Sequence, residues 1–147
     1  METSIKFDIE IIFKKAYNKI VMGKKIKSVF IVDDNELLSE ALLDYITDKT
    51  MYDVKIFHTG EECIKHLREQ PDVVILDYNL DSVDKQAANG SMILEKIKRL
   101  DNSIHVIMLS SQDAYGTALQ TITKGAEDYV IKDDNAFKKI VSIIQSL

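Results

Sequence analysis

Five short apolar runs rich in Val and Ile recur along the chain: Val29–Val32, Val54–Phe57, Val73–Leu76, Val106–Leu109 and Tyr129–Ile131. Most are continuous rather than alternating. A strand with one wet face alternates apolar and polar residues, whereas a strand covered on both faces has no need to, so these runs read as strands of a parallel sheet. Parallel neighbours need crossover connections, usually helices. The segments between the runs have the matching period. Glu36–Ile46 places Leu38, Leu42, Tyr45 and Ile46 on one side. Thr59-Gly60-Glu61-Glu62 has the capping-box form, so a second helix is expected to start there and run to about Arg68. Pro71, the only proline, punctuates the approach to the third strand. Asn89-Gly90-Ser91 reads as a turn and helix start, and Ser91–Leu100 and Ala114–Lys124 carry apolar stripes. Gly125 falls where a helix C-terminal glycine belongs. Asn135 is expected to cap a last helix with Phe137, Ile140, Val141 and Ile144 as its stripe. Alternating strands and helices define an α/β chain with helices on both faces of the sheet. A doubly wound sheet of this kind collects ligands at the carboxyl ends of its strands.

The chain's 147 residues suit one compact domain, and 46% hydrophobic with 29% charged residues excludes wholesale disorder. The single cysteine, Cys63, excludes an internal disulfide framework. No apolar run approaches the roughly 20 residues of a membrane span, and no signal-peptide pattern opens the chain, so a cytoplasmic protein is expected. The net charge of −5 is unevenly placed: residues 1–28 carry +4 and residues 29–147 carry −9. An acidic globule is a poor match for a nucleic-acid backbone, and direct DNA binding is not expected.

Residues 4–21 precede the alternating unit. Ile5, Ile9, Ile12, Phe13, Ala16, Tyr17 and Ile20 recur at helical spacing, and Gly23-Lys24-Lys25 follows as a short linker. The expected organisation is therefore an N-terminal amphipathic helix and linker, 1–27, before a domain at 28–147. A helix of this length is marginal alone. Its stripe is expected to pack on its own domain or to pair with a second copy as a homodimer. Binding a partner or an anionic surface through its lysines is the third reading.

Four strand ends carry polar groups. The first run ends in Val32-Asp33-Asp34-Asn35, the third in Leu76-Asp77-Tyr78-Asn79, the fourth in Leu109-Ser110-Ser111 and the fifth in Ile131-Lys132-Asp133. In a parallel sheet these termini emerge on one edge. Clustered carboxylates resist ionisation unless a cation compensates. Oxygen-only ligands suit Mg²⁺ together with phosphate oxygens. A lysine opposite adds a second positive charge, a serine hydroxyl donates to an oxygen, and a central carboxylate can act as nucleophile toward a phosphoryl group.

Residues 28–147 resemble the response regulator receiver domain. The pieces that carry the resemblance are Val29-Phe-Ile-Val-Asp-Asp34, Val73-Val-Ile-Leu-Asp77, Val106-Ile-Met-Leu-Ser110 and Gly125-Ala-Glu-Asp-Tyr-Val-Ile-Lys132. The resemblance implies a flavodoxin-like five-stranded parallel sheet of order 2-1-3-4-5. It implies Asp77 as phosphoacceptor, with Mg²⁺ held by Asp34, Asp77 and the backbone carbonyl of Asn79, and by Asp33 through water. Lys132 would pair with Asp77 or its phosphoryl group. Ser110 would move to the phosphoryl oxygen, and Tyr129 would swing inward as the aromatic switch. The phosphodonor implied is a sensor histidine kinase or a histidine phosphotransfer protein, and output goes to a downstream protein target. No conventional substrate is turned over; the domain catalyses its own phosphoryl transfer and the slow hydrolysis of its aspartyl-phosphate.

The chain departs from the family at two places. Asp133 stands where a proline, joined by a cis bond, usually follows the lysine. The loop from Tyr78 to Gly90 carries about five more residues than the family's usual spacing, an insertion of the kind surface loops absorb. Asn79 and Gln112 hold positions that tune dephosphorylation in the family. Cys63 and His66 read as a packed thiol and a surface imidazole, and neither His58 nor His105 has an evident catalytic partner. A phosphorylation-independent binding module is the alternative function. A small-molecule phosphatase is disfavoured because Asp33 and Asp34 are adjacent and no substrate cap is evident. A dinucleotide enzyme is disfavoured because no Gly-rich turn follows Val32. With the chain stopping at Leu147, no DNA-binding or catalytic output unit is expected.

Overall fold

The structure, a computed structural model, describes residues 2–21, 27–81 and 85–147. Helix α1 (Glu2–Val21) leads into an alternating unit: β1 (Ser28–Val32), α2 (Glu36–Lys49), β2 (Asp53–Phe57), α3 (Gly60–Lys65), β3 (Val73–Asp77), α4 (Gly90–Leu100), β4 (His105–Ser110), α5 (Tyr115–Thr123), β5 (Asp128–Ile131) and α6 (Ala136–Ser146). All strand pairs are parallel, in the order β2-β1-β3-β4-β5. The fold class, the strand order and the N-terminal helix agree with the sequence reading.

The continuous runs are continuous because both faces are covered. Phe30, Val32, Val74, Leu76, Val106 and Met108 point to one face and pack with α3 and α4. Val29, Ile31, Val73, Ile75, Ile107 and Leu109 point to the other and pack with α2 and α6. Each such side chain, fully buried, stabilises the fold by roughly 1.5–3 kcal/mol relative to exposure. The edge strand β2 alternates exposed and covered residues instead, as an edge allows.

Helix punctuation follows the sequence in part. The Thr59 side chain accepts from Glu62 N–H at 3.2 Å, as a cap should. The α-helix it opens is shorter than expected, ending at Lys65, with a 3-10 turn at Leu67–Glu69. Gln70 there takes a left-handed backbone (φ 57°) and Pro71 follows, so the chain must turn before β3. Asn135 precedes α6 but makes no side-chain cap; its backbone is helical, whereas capping needs an extended residue. Gly125 does adopt the left-handed conformation (φ 104°) that ends α5.

The N-terminal helix corrects one expectation. Ile5, Ile9, Ile12, Phe13, Ala16 and Tyr17 are exposed rather than packed on the domain. The side facing α2 and the loop after it is instead Phe7, Glu10, Ile11, Lys14 and Lys15. On this side an exposed ion pair joins Lys15 to Asp53 at the start of β2. The linker Gly23-Lys24-Lys25 and the side chain of Ile20 lie outside the described residues, as do residues 82–84 of the long loop. Among the described residues, no helix is long and apolar enough to cross a membrane.

Candidate functional site

The carboxyl edge of the sheet brings together residues far apart in sequence. Asp77 is the last residue of β3, and Asp33 and Asp34 follow β1 directly. Asp33 and Asp77 are buried at 2% exposure each, while Asp34 is half-buried. One oxygen from each of these three carboxylates lies within 4.8 Å of the others. Lys132, following β5, extends its ammonium to 3.2 Å from Asp77 Oδ1 and 3.2 Å from Asp33 Oδ2. The contact to Asp77 is a hydrogen bond. The contact to Asp33 Oδ2 is an ion pair without hydrogen-bond geometry, which leaves that buried oxygen without a hydrogen bond.

Local backbone bonds hold the carboxylates in place. Asn35 N–H donates to Asp33 Oδ1 at 2.9 Å and Asn79 N–H to Asp77 Oδ1 at 3.2 Å. Asp33 N–H donates to Phe57 O at 3.1 Å, and the His58 ring nitrogen Nδ1 lies 3.1 Å from Asp33 O. His58, which showed no partner in the sequence, thus braces the end of β1 rather than taking part in chemistry. The peptide bond from Lys132 to Asp133 is trans.

Burial and repulsion set the electrostatics. Burial first, and the Asp33 charge second, push the Asp77 carboxyl up to about 6 against the opposing pull of Lys132. Burial alone would lower the Lys132 ammonium, yet Asp77 and Asp33 outweigh it and hold its pKa above the ordinary lysine value. Two buried carboxylates against one ammonium leave the pocket short of positive charge. Oxygen donors this close, one of them buried without a hydrogen bond, fit a hard divalent cation such as Mg²⁺.

Ser110 ends β4, fully buried, its Oγ accepting from Gln112 N–H at 3.1 Å. Strand pairing sets it one residue beyond Leu109, which lies opposite Asp77. Tyr129, in β5, is half-buried; its hydroxyl donates to Gln112 O at 2.8 Å. Gln112 therefore links Ser110 and Tyr129 through its backbone, a connection the sequence did not reveal.

The other side of the site is built by α4. Asn89 caps it, accepting from Met92 N–H at 3.0 Å. Gly90 N–H donates to Tyr78 O at 2.9 Å. A Cβ on Gly90 would lie 2.2 Å from Asp77 O, so only glycine admits the helix this close to the end of β3. Glu61, in the first turn of α3, accepts from Ala88 N–H at 2.8 Å and ties down the end of the long loop. That anchor was missed in the sequence because it joins residues 27 positions apart.

Comparison with known proteins agrees with the fold. Residues 29–145 match the family model described as response regulator receiver domain. The chain is 34% identical over 122 residues to a protein-glutamate methylesterase/protein-glutamine glutaminase of Archaeoglobus fulgidus, covering 81% of this chain and 33% of that protein. It is 30% identical over 105 residues to the chemotaxis protein CheY of Listeria monocytogenes, covering 71% of this chain and 84% of CheY. Among solved structures, the signal receiver domain of a putative LuxO repressor protein from Vibrio parahaemolyticus superposes with a TM-score of 0.72 at 28% identity, covering 82% of this chain and 89% of that one. The chain spans less than half the length of several curated relatives it matches.

Proposed function

The chain belongs to the response regulator receiver domain family of two-component signalling, and from that membership we propose a phosphorylation-switched receiver that takes a phosphoryl group from a partner phosphohistidine onto Asp77. The donor is a sensor histidine kinase or a histidine phosphotransfer protein, and the output is contact with a downstream protein. The observation that carries the reading is one ammonium, Lys132, 3.2 Å from two buried carboxylates at the edge where Asp34 also gathers.

Each residue has a role in this chemistry. A carboxylate oxygen of Asp77 attacks phosphorus as the bond from phosphorus to the donor nitrogen breaks. Lys132 neutralises a phosphoryl oxygen as charge builds there. Ser110 gives up its present contact and donates its hydroxyl to another oxygen. Tyr129 then releases Gln112 O and moves inward, altering the surface near α5, where Tyr115, Leu119 and Ile122 are exposed. Mg²⁺, held by Asp33, Asp34, Asp77 and the carbonyl of Asn79, would supply the remaining positive charge on the phosphoryl oxygens. Slow hydrolysis by water attack on phosphorus returns the carboxylate and inorganic phosphate. A cytoplasmic location belongs to the same reading; burial pushes the Cys63 thiol up to about 12 and keeps it out of the chemistry. The N-terminal helix stands outside this chemistry.

Acetyl phosphate with and without Mg²⁺, read by intact mass, tests the proposal. One phosphoryl group should be gained with Mg²⁺ and not by the Asp77→Asn variant. No gain, under conditions that label a known receiver, would favour the phosphorylation-independent binding module instead.

A further inference from the structure

Lys132 has a flexible four-carbon stem, so where its ammonium rests depends on how the backbone beneath it is held. On the strand side the hold is the sheet, through Lys132 N–H donating to Ser110 O at 2.8 Å. On the other side the chain leaves β5 and turns into α6 over residues 132–135. The next residue, Asp133, is engaged in that turn by every polar group it has. Its N–H donates to Ile131 O at 2.8 Å, and its carbonyl accepts from Ala136 N–H at 3.1 Å. Its Oδ1 accepts from Asn135 N–H at 2.9 Å, and its Oδ2 faces the Lys139 ammonium at 3.4 Å. Asn135 makes no side-chain cap, so the side-chain acceptor at the start of α6 comes from Asp133. Ala136 and Ile140, both buried, press the far side of the turn onto the core.

We propose that Asp133 is the positioning residue for Lys132: its carboxylate closes the turn from β5 into α6 and so sets the ammonium 3.2 Å from both Asp77 and Asp33. An aspartate that bonds the backbone two residues on makes a turn by itself. No proline fixes this one, since the chain's sole proline is Pro71. The same bonds remove a rival. A free carboxylate beside Lys132 would compete with Asp77 for its ammonium. Asn135 N–H, Lys139 and the positive end of α6 occupy that carboxylate instead. The inference deepens the receiver reading and rests on it, because Asp133 acts through the lysine that meets a phosphoryl oxygen.

The rate of phosphoryl gain from acetyl phosphate at saturating Mg²⁺, read by intact mass, tests the inference in three variants. Asp133→Asn keeps the acceptor for Asn135 N–H and removes the charge, Asp133→Ser offers a weaker acceptor, and Asp133→Ala offers none. Asp133→Asn should stay within about twofold of the wild-type rate, Asp133→Ala should fall about tenfold, as expected for a reacting group displaced by less than about 1 Å, and Asp133→Ser should lie between. The Mg²⁺ concentration giving half the maximal rate should be the same in all of them, because the turn does not carry the carboxylates. In a Lys132→Ala background, adding Asp133→Ala should change the rate no further, which a general loosening of the fold would not reproduce. If Asp133→Ala fails to fold by circular dichroism, the Asp133→Ser and Asp133→Asn pair carries the comparison. Asp133→Asn as slow as Asp133→Ala would assign the effect to charge and overturn the proposal. A wild-type rate in Asp133→Ala, or an equal further loss in the Lys132→Ala background, would overturn it as well. A wild-type chain that gains no phosphoryl group would refute the receiver reading, and this inference with it.

Discussion

The fold penalises the charge of Asp77 and favours that of Lys132, and the difference can be measured. With its pKa raised to about 6, the Asp77 carboxyl binds a proton more tightly in the folded chain than in the unfolded one. Stability of the metal-free protein should therefore fall as pH rises from about 4 to about 6 through this residue, the reverse of the usual aspartate. Asp77→Asn should raise the metal-free Tm at pH 7.5, by at most the equivalent of about 3 kcal/mol, and the gain should vanish near pH 4. Thermal unfolding in EDTA across that range checks it; a gain that is the same at every pH would assign the effect to packing. Lys132→Ala should do the opposite. It leaves Asp33 and Asp77 buried without a cation and should cost roughly 2–4 kcal/mol, read by urea unfolding. Combining it with Asp77→Asn should recover a large part of that loss, because only one uncompensated carboxylate then remains.

At the scale of elements, α4 decides how tightly the site is closed. Gly90→Ala would press a methyl group into the backbone of Asp77 and Tyr78, where the nearest atom lies 2.2 Å away. The helix must retreat or the end of β3 must move, and either should cost at least about 2 kcal/mol. Urea unfolding of that variant reads the loss; a change below experimental error would mean α4 can shift freely. This glycine was legible in the sequence as a helix opener, whereas the backbone clash that requires it was not. The same divide runs through the other elements. Strands β1, β3 and β4 were legible because burial on both faces removes polar residues from them. Thr59 was a legible cap because its partner, Glu62, is three residues away. Asn135 was misleading because residue type alone does not reveal a helical backbone at the cap. The Glu61 tie to Ala88 and the Gln112 link between Ser110 and Tyr129 were invisible, since both depend on distances across the fold.

For the whole molecule, the acidic edge connects the sheet's topology to its response to a divalent ion. The ends of β1 and β3 bring three carboxylates to one place, and among the described residues the Lys132 ammonium beside them leaves Asp33 Oδ2 buried without a hydrogen bond. This arrangement loses stability in the free chain and regains it when a hard cation binds. A ligand that binds only the folded form stabilises it by about 2.7 kcal/mol at a concentration one hundred times its dissociation constant. For a chain of this length that corresponds to a Tm rise of roughly 5–10 °C. Mg²⁺ should produce it, and sodium chloride at equal ionic strength should not, because screening acts weakly on buried groups. Asp34→Asn keeps the two buried carboxylates and Lys132 but removes the more exposed donor, so it should fold and lose most of the Mg²⁺ response. Differential scanning calorimetry of both proteins over a Mg²⁺ series makes the comparison. Equal shifts in the two would mean that the ion acts elsewhere on the acidic surface, and the three-carboxylate edge would lose its claim to be a metal site.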